Sequence, residues 1–395
     1  MSKIIIQNGN MCELDLPLKF AQKLYNEFAI RHPNAFYLRT RQRGMQNWDG
    51  KIHYITKTGQ FKIGLLPKVY DMCIEMGIKP KVVDMRQPLP KVSKVVTNIG
   101  KYKLRPEQEK AVKAVINNKI GNTPFHIGVL DYTVNAGKTL IMSSLYLSYK
   151  KQLKTLLITN DSDWLNQARE EFKQYLPGED ITFVQGKVLN WSNFTIGMVQ
   201  SISRNMRFYQ KELSQIDMVL IDEADQGGSK QYQNVITRLF NTRIRIGLSG
   251  TIYMSKLAKD RVKNMNLECF FGKVLAEFKL KDSIKKGYST KTVVKMVPGK
   301  PWYGNWESDC ISYKEIYDDS ITNCYTAWLM AYNRLLWNLN QGRYPALVVC
   351  KHIAHCENLY KFFKKKLGDA YNIAYVHVNT PSKLRQQIMK DFREG

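Results

Sequence analysis

Apolar positions recur along this chain with two periods, and the change between them divides it. Residues 3–6 and 12–16 read as short strands. Residues 19–31 place Phe20, Leu24 and Phe28 at helical spacing, giving one apolar stripe that faces a core. Pro33 and Asn34 end that helix. Residues 36–38 return to strand character. Arg39, Arg41 and Arg43 follow at alternate positions, which on a strand share one face. A loop over 44–50 holds Asn47, Trp48, Asp49 and Gly50. Residues 52–55 and 61–63 flank Lys57-Thr58-Gly59-Gln60, a hairpin signal. Residues 66–76 predict a short helix stopped by Gly77. Together these make a basic α+β module of roughly eighty residues, large enough for a small core of its own. Pro88 and Pro90 mark a linker after it.

From residue 102 the pattern alternates. A helix over 102–117 opens the region. Strands follow at 125–130, 155–159, 182–184, 195–199, 218–221 and 244–248, with helices from 138 and over 163–175 between them. Strands alternating with helices predict an α/β fold built on a doubly wound parallel sheet. Near residue 278 the pattern restarts: a strand at 290–297, an aromatic-rich loop at 301–309, a helix at 320–341, then strand 346–350, helix 355–367, strand 373–378 and helix 381–392. The expected organisation is a basic domain over 1–90, one sheet lobe over 91–278 and a second, incomplete lobe over 279–395.

Composition narrows the class of protein. The chain has 395 residues and is 44% hydrophobic, enough for a full core. No apolar run is long enough to span a bilayer, and Ile4-Ile5-Ile6 is too short for a signal-peptide core. A cytoplasmic protein without a membrane partner is therefore expected. Seven cysteines, odd in number and without a CxxC pair, argue for reduced thiols. The one local cluster is Cys350, His352, His355 and Cys356. These residues are too close together along the chain to converge tetrahedrally on zinc with ease. Sixty Lys and Arg against 34 Asp and Glu give a net charge of +26. That field favours a polyanion, most often nucleic acid. Aromatics interleaved with the basic residues of the first hundred positions strengthen this expectation.

Chemistry concentrates at two strand ends. Val219-Leu220-Ile221 delivers Asp222, Glu223, Ala224 and Asp225. One acid at such an end holds Mg²⁺ through water, and its neighbour orients or deprotonates an attacking water. Upstream, Asp131–Thr139 reads DYTVNAGKT between an apolar strand and a helix, the context of a phosphate-binding loop. Backbone N–H groups at Asn135, Ala136, Gly137 and Lys138 can wrap a β-phosphate at a helix N-terminus. Lys138 adds a point charge to the β- and γ-phosphates, and Thr139 a hydroxyl for Mg²⁺. The usual pattern has glycine where this chain has Tyr132. Arg105 and Gln108 lie in LRPEQ on the preceding helix, and a glutamine amide suits an adenine edge. Ser249-Gly250-Thr251 follows another strand and can bond Asp225.

The ordered set LRPEQ, NAGKT, VLIDEAD, LSGT and the late stretch VHVNTPSKLRQQIMKDFREG resembles the superfamily 2 helicases over most of residues 100–395. The basic stretch RQRGMQNWDGKIHYITKTGQFKIGLLPKV and the segment ALVVCKHIAHCENLYKFF are similar to phage recombination and repair members of that family. The resemblance implies two RecA-like lobes, ATP and Mg²⁺ as ligands, and a motor that works as a monomer on DNA. That DNA would be duplex, branched or single-stranded, with RNA–DNA hybrids a further substrate. It implies that Gln108 reads adenine with Arg105 nearby, that Lys138 and Thr139 hold phosphates and Mg²⁺, that Asp222 coordinates Mg²⁺ through water and that Glu223 positions the hydrolytic water. Asp225, Ser249 and Thr251 would couple the nucleotide to the strand path, and Asn160, Gln200 and Ser201 would touch the nucleic-acid backbone. Arg39, Arg41, Arg43, Trp48 and Lys51 would grip DNA, although Asp49 beside Trp48 argues for a turn in which Trp48 packs instead. The Cys/His cluster falls in a segment of the resemblance where a structural role is implied.

One departure bears on activity. In the family, the second lobe continues past FREG to a nucleotide-sensing motif and a QxxGRxxR-like motif whose arginines contact the γ-phosphate. Neither occurs before Gly395. An arginine finger is worth about 10³–10⁵ in kcat, so a truncated or separately encoded portion that binds ATP weakly and hydrolyses it poorly is expected. Two other readings stand beside the helicase: a duplex translocase of restriction or remodelling type, and a nucleic-acid-binding module with an incomplete motor.

Overall fold

The computed structural model describes residues 2–41, 44–149, 152–186, 188–253, 260–291, 294 and 312–394. The chain divides into two units, residues 1–291 and 292–395.

The first unit opens with a four-stranded sheet. Strands β1 (Lys3–Ile6) and β2 (Met11–Asp15) pair antiparallel, β3 (Gln60–Lys62) pairs antiparallel with β2, and β4 (Lys81–Asp84) runs parallel to β1. Helices α1 (Leu18–Glu27), α2 (Ala35–Arg41) and α3 (Leu66–Glu75) accompany it. Gly77, at φ +76°, ends the α3 segment in the left-handed region that glycine tolerates.

Several expectations for this region are corrected. Residues 36–38 form no strand; they lie in α2, which starts directly after Pro33-Asn34. The helix expected over 19–31 is also shorter: α1 ends at Glu27 and Ala29–Arg31 is a strand, so Pro33-Asn34 stops no helix and only precedes α2. On a helix, positions two apart do not face each other, so Arg39 and Arg41 do not share a face. Arg43 lies outside the described residues. The hairpin turn forms, with Thr56 N donating to Gln60 O at 2.8 Å and a bridge between Ile55 and Phe61. Its arms then part: Lys51–His53 pairs with Ala29–Arg31, while β3 joins β2.

The second sheet has eight strands: β5 (His126–Tyr132), β6 (Thr155–Thr159), β7 (Ile181–Gln185), β8 (Val188–Leu189), β9 (Phe194–Met198), β10 (Met218–Asp222), β11 (Ile244–Ser249) and β12 (Val274–Phe278). Their order is β8-β7-β9-β6-β10-β11-β5-β12. All neighbours are parallel except β7 and β8. Every residue of β5, β6, β10 and β11 is buried, as expected for a parallel sheet covered on both faces. Helices α4 (Pro106–Ile116), α5 (Lys138–Ser148), α6 (Ser162–Tyr175), α7 (Val199–Arg204) and α8 (Arg261–Phe271) surround it.

The small sheet does not keep a separate core. One apolar cluster runs from Ile4, Leu24 and Phe61 through Ile127 and Val219 to Phe271. Backbone meets backbone at the seam: Gly9 N donates to Phe240 O at 2.6 Å, and a Cβ on Gly64 would lie 2.1 Å from Glu268 O. Arg245 of β11, fully buried, donates to Gly9 O (2.7 Å), Asn10 Oδ1 (2.7 Å) and Phe270 O (3.1 Å). Burial, with Arg86 close by, pulls its guanidinium down to about 9. Lys68 pairs with Glu268 at 2.5 Å, and Arg243 with Asp217 at 2.6 Å.

In the second unit, α9 (Tyr325–Asn340), α10 (Ile353–Leu367) and α11 (Ser382–Glu394) are the long helices. Leu359, Phe362 and Phe363 of α10 pack with Trp328 and Tyr332 of α9. The strands expected at 346–350 and 373–378 are corrected: neither segment joins a ladder among the described residues. Leu347, Val349 and Val378 are exposed, whereas a parallel strand is buried by neighbours on both sides. Most of the strand expected at 290–297 and all of the 301–309 loop lie outside the described residues.

Candidate nucleotide and nucleic-acid site

The site is built at the carboxyl ends of β5, β10 and β11, where ligands bind in open α/β sheets. After β5 the chain turns through Asn135 (φ +62°) and Gly137 (φ +73°) into α5. A side chain at Gly137 would strike the Gln108 amide, with Cβ only 2.3 Å from Nε2. Tyr132 replaces the usual glycine for a visible reason. Its ring is buried beside Phe278 and its hydroxyl donates to Glu107 O at 2.7 Å, so this position faces core rather than phosphate.

Gln108 secures the loop from below. Its Oε1 accepts from Arg105 N (2.8 Å) and its Nε2 donates to Ala136 O (2.9 Å), with the side chain almost fully buried. The structure therefore places Gln108 as a brace between helix α4 and the loop. Arg105 is more open; its Nη2 donates to Asn135 O at 3.2 Å.

Two strands from β5, with β11 between them, β10 ends in the acids. Asp222 is buried, and burial pushes its carboxyl above the usual range while Lys138 pulls it back. Glu223 adopts φ +52°, a left-handed conformation that costs a non-glycine residue about 1–2 kcal/mol. Its carboxyl is also raised, first by burial, with Lys138 opposing and Asp222 and Asp225 adding to it. Ala224 is fully buried against Gly247 of β11, where a Cβ would come within 2.7 Å of the alanine Cβ. A larger residue at either position would push the acidic turn off the sheet. Asp225 accepts from Ser249 Oγ (2.9 Å) and Gln226 Nε2 (3.1 Å), and Thr251 N donates to Ser249 Oγ (3.1 Å).

The Thr139 hydroxyl and the Asp222 carboxylate are hard oxygen donors. Mg²⁺ is ordinarily held by one or two carboxylates plus substrate phosphates, so this donor set fits it. When bound, Mg²⁺ would neutralise phosphate charge.

At the far side, Asn160 follows β6 and Gln200 lies in α7; Gln200 Nε2 donates to Asn160 O at 3.2 Å. Ser201 Oγ accepts from Gly186 N at 2.9 Å. In the small module, Arg39, Arg41 and Lys51 are exposed. Arg31, Phe36, Arg39, Gln46 and Asp49 line a groove of about 390 Å³. Trp48 has its indole N–H donating to Lys51 O at 2.9 Å and its ring meeting His32 edge-on, so it holds the turn. In the second unit, the Cys350 and Cys356 thiols share a hydrogen bond, and Tyr317 contacts His352 and His355. No three His, Cys, Asp or Glu are placed to hold a metal among the described residues.

Sequence reasoning passed over several residues of the site. Asp131 and Glu107 are buried acids paired with Lys279 and Lys286. Those lysines lie more than a hundred residues further on, and no local pattern joins them.

Residues 101–254 match the family model of the type III restriction enzyme res subunit. The likeness is confined to this segment, which is similar to a motor lobe of the superfamily 2 helicase class. The chain is similar to the ATP-dependent DNA helicase UvsW of Enterobacteria phage T4, at 21% identity over 393 residues, covering 88% of this chain and 70% of the relative. A crystal structure of T4 UvsW superposes with a TM-score of 0.55 at 20% identity, covering 70% of this chain and 99% of that one. A second T4 UvsW structure gives 0.54 at 19%, covering 100% and 78%. These likenesses establish a shared fold. No helix among the described residues is long and apolar enough to cross a membrane.

Proposed function

We propose that this chain is an ATP-driven helicase or translocase that remodels branched DNA or RNA–DNA hybrids in replication, recombination or repair, acting in the cytoplasm. The observation that carries the reading is the meeting of three strand ends: the Lys138 loop after β5, Asp222 and Glu223 after β10, and Ser249 after β11, bonded to Asp225. Lys138 and Thr139 take the phosphates and Mg²⁺, Asp222 supports the ion through water, and Glu223 holds the attacking water. Asn160, Gln200 and Ser201 lie along the strand path, and Arg39, Arg41 and Lys51 meet duplex phosphates. The basic domain over 1–90 and the lobes over 91–278 and 279–395 divide these tasks.

The test is Glu223→Gln, which keeps shape and removes the base. Single-turnover ATP hydrolysis should fall at least about a hundredfold, within the range for general-base catalysis, while ATP still binds. An unchanged rate removes the motor reading and leaves a nucleic-acid-binding module.

A duplex translocase is the second reading, favoured by the restriction-enzyme family that residues 101–254 match. Displacing a triplex strand without separating the duplex would select it over the helicase.

A further inference from the structure

The segment from Lys279 through helix Leu280–Lys285 and the turn beyond it returns three side chains to the loop end of the sheet. Lys279 pairs with Asp131. Lys286 Nζ lies 2.7 Å from Glu107 Oε2. The Tyr288 ring covers the Arg105 guanidinium, whose Cζ lies 4.2 Å from the ring centroid.

Arg105 is tied on its other sides as well. Nε lies 3.3 Å from Glu107 Oε1 and Nη2 bonds Asn135 O at the crest of the phosphate loop. A Cβ on Gly137 would lie 3.4 Å from that Nη2. The guanidinium thus bridges the loop and Tyr288. Gln108 has both ends of its amide engaged with Arg105 N and Ala136 O. Of the two LRPEQ side chains, Arg105 is the more accessible, with 27% of its side chain exposed, whereas Gln108 is buried. A planar guanidinium stacked on an aromatic ring is held in one orientation, which lowers the ordering needed when it meets a ligand.

We propose that Tyr288 is a positioning residue of the nucleotide site: it fixes Arg105 against the phosphate loop and thereby sets how tightly the base end of the nucleotide is held. The proposal rests on the reading of Arg105–Thr139 as an ATP site with Arg105 at its base end, which the resemblance implies. Nothing in the local sequence around Tyr288 signals the role, because the contact spans the chain from residue 105 to residue 288.

Two ligands separate base-end from phosphate-end effects. The chain is titrated calorimetrically with Mg·ATP and, separately, with Mg·tripolyphosphate, which has the phosphates and no base. Tyr288→Ala and Tyr288→Leu are expected to raise the Kd for ATP about fivefold, the worth of one cation–π interaction, and to leave that for tripolyphosphate unchanged. Tyr288→Phe keeps the ring face and should bind ATP as tightly as the unmodified chain. A loss shared equally by both ligands, or no loss for either, overturns the proposal. Lys138→Ala reports on the site itself and should weaken both ligands. If neither ligand binds the unmodified chain in a Lys138-dependent way, the ATP-site reading fails, and the role of Tyr288 fails with it.

Discussion

Ser249 Oγ donates to Asp225 Oδ1 across 2.9 Å, joining the turns that follow two adjacent strands. Asp225 thereby senses both the acidic turn and the end of β11, and Ser249 also accepts from Thr251 N. Ser249→Ala removes this link without touching Lys138, Asp222 or Glu223. ATP hydrolysis should stay within about threefold of the unmodified level, while strand displacement per ATP falls about tenfold, the scale of a coupling energy near 1.4 kcal/mol. Equal losses in both assays would place Ser249 in the hydrolytic site instead.

Asp222 predicts a trade between stability and activity. Its folded carboxyl is raised by burial, so the folded chain holds its proton more tightly than the unfolded chain does. Stability is therefore lost as pH rises from the ordinary carboxylate range through the raised value, and the full cost is present above it. Asp222→Asn should stabilise the ligand-free chain at pH 7 by about 0.5–2 kcal/mol, with the gain vanishing in acid below both values. The same variant should lose Mg²⁺-dependent ATP hydrolysis. Urea melts at several pH values, read beside the ATPase assay, check both halves.

Gly64 predicts a steric failure. A Cβ there would come within 2.1 Å of the Glu268 carbonyl oxygen and 2.6 Å of that of Cys269. Both are backbone atoms of α8 and cannot swing aside. Gly64→Ala should destabilise the first unit by about 1–3 kcal/mol, the usual cost of overpacking, or more if the seam opens. A urea midpoint equal to that of the unmodified chain would contradict the close approach.

Arg39 and Arg41 predict a salt effect. If each meets one phosphate, reversing both charges should weaken duplex binding across all sequences alike. The slope of log affinity against log salt should shrink by about 0.9 for each phosphate that is no longer neutralised. Trp48→Phe should leave that slope unchanged, since the indole N–H is used on Lys51 O within the turn.

The eight-stranded sheet was largely legible in the sequence because its central strands are buried on both faces. Runs such as Met218–Ile221 and Ile244–Leu248 must then be apolar almost throughout, and each ends where polar chemistry begins. The glycines and acids of the site carry short-range signals for the same reason. What failed was decided by partners distant in sequence. Phe36, Tyr37 and Leu38 have strand-like side chains, yet Phe36 and Tyr37 are exposed on a helix that buries Ala35 near Gly50. The arms beside Gly59 predicted a hairpin, and the choice of sheet for each arm was made by Ala29–Arg31 and by β2. Residues 346–350 have the composition of a core strand without a ladder partner among the described residues. The contact of Gln108 with Ala136 O, by contrast, overturns no expectation, but it too depends on a loop conformation that no spacing rule specifies.

Arg245 reaches from the eight-stranded sheet to Gly9 and Asn10, and one core fills the space around it. The small basic sheet is therefore no tethered clamp with play of its own. It is built into the first unit, so, on the proposed function, a displacement at the Lys138 loop would be passed to DNA held by this module with no slack to take up. Any compliance in such a grip would then have to come from the DNA or from the surface side chains that meet it.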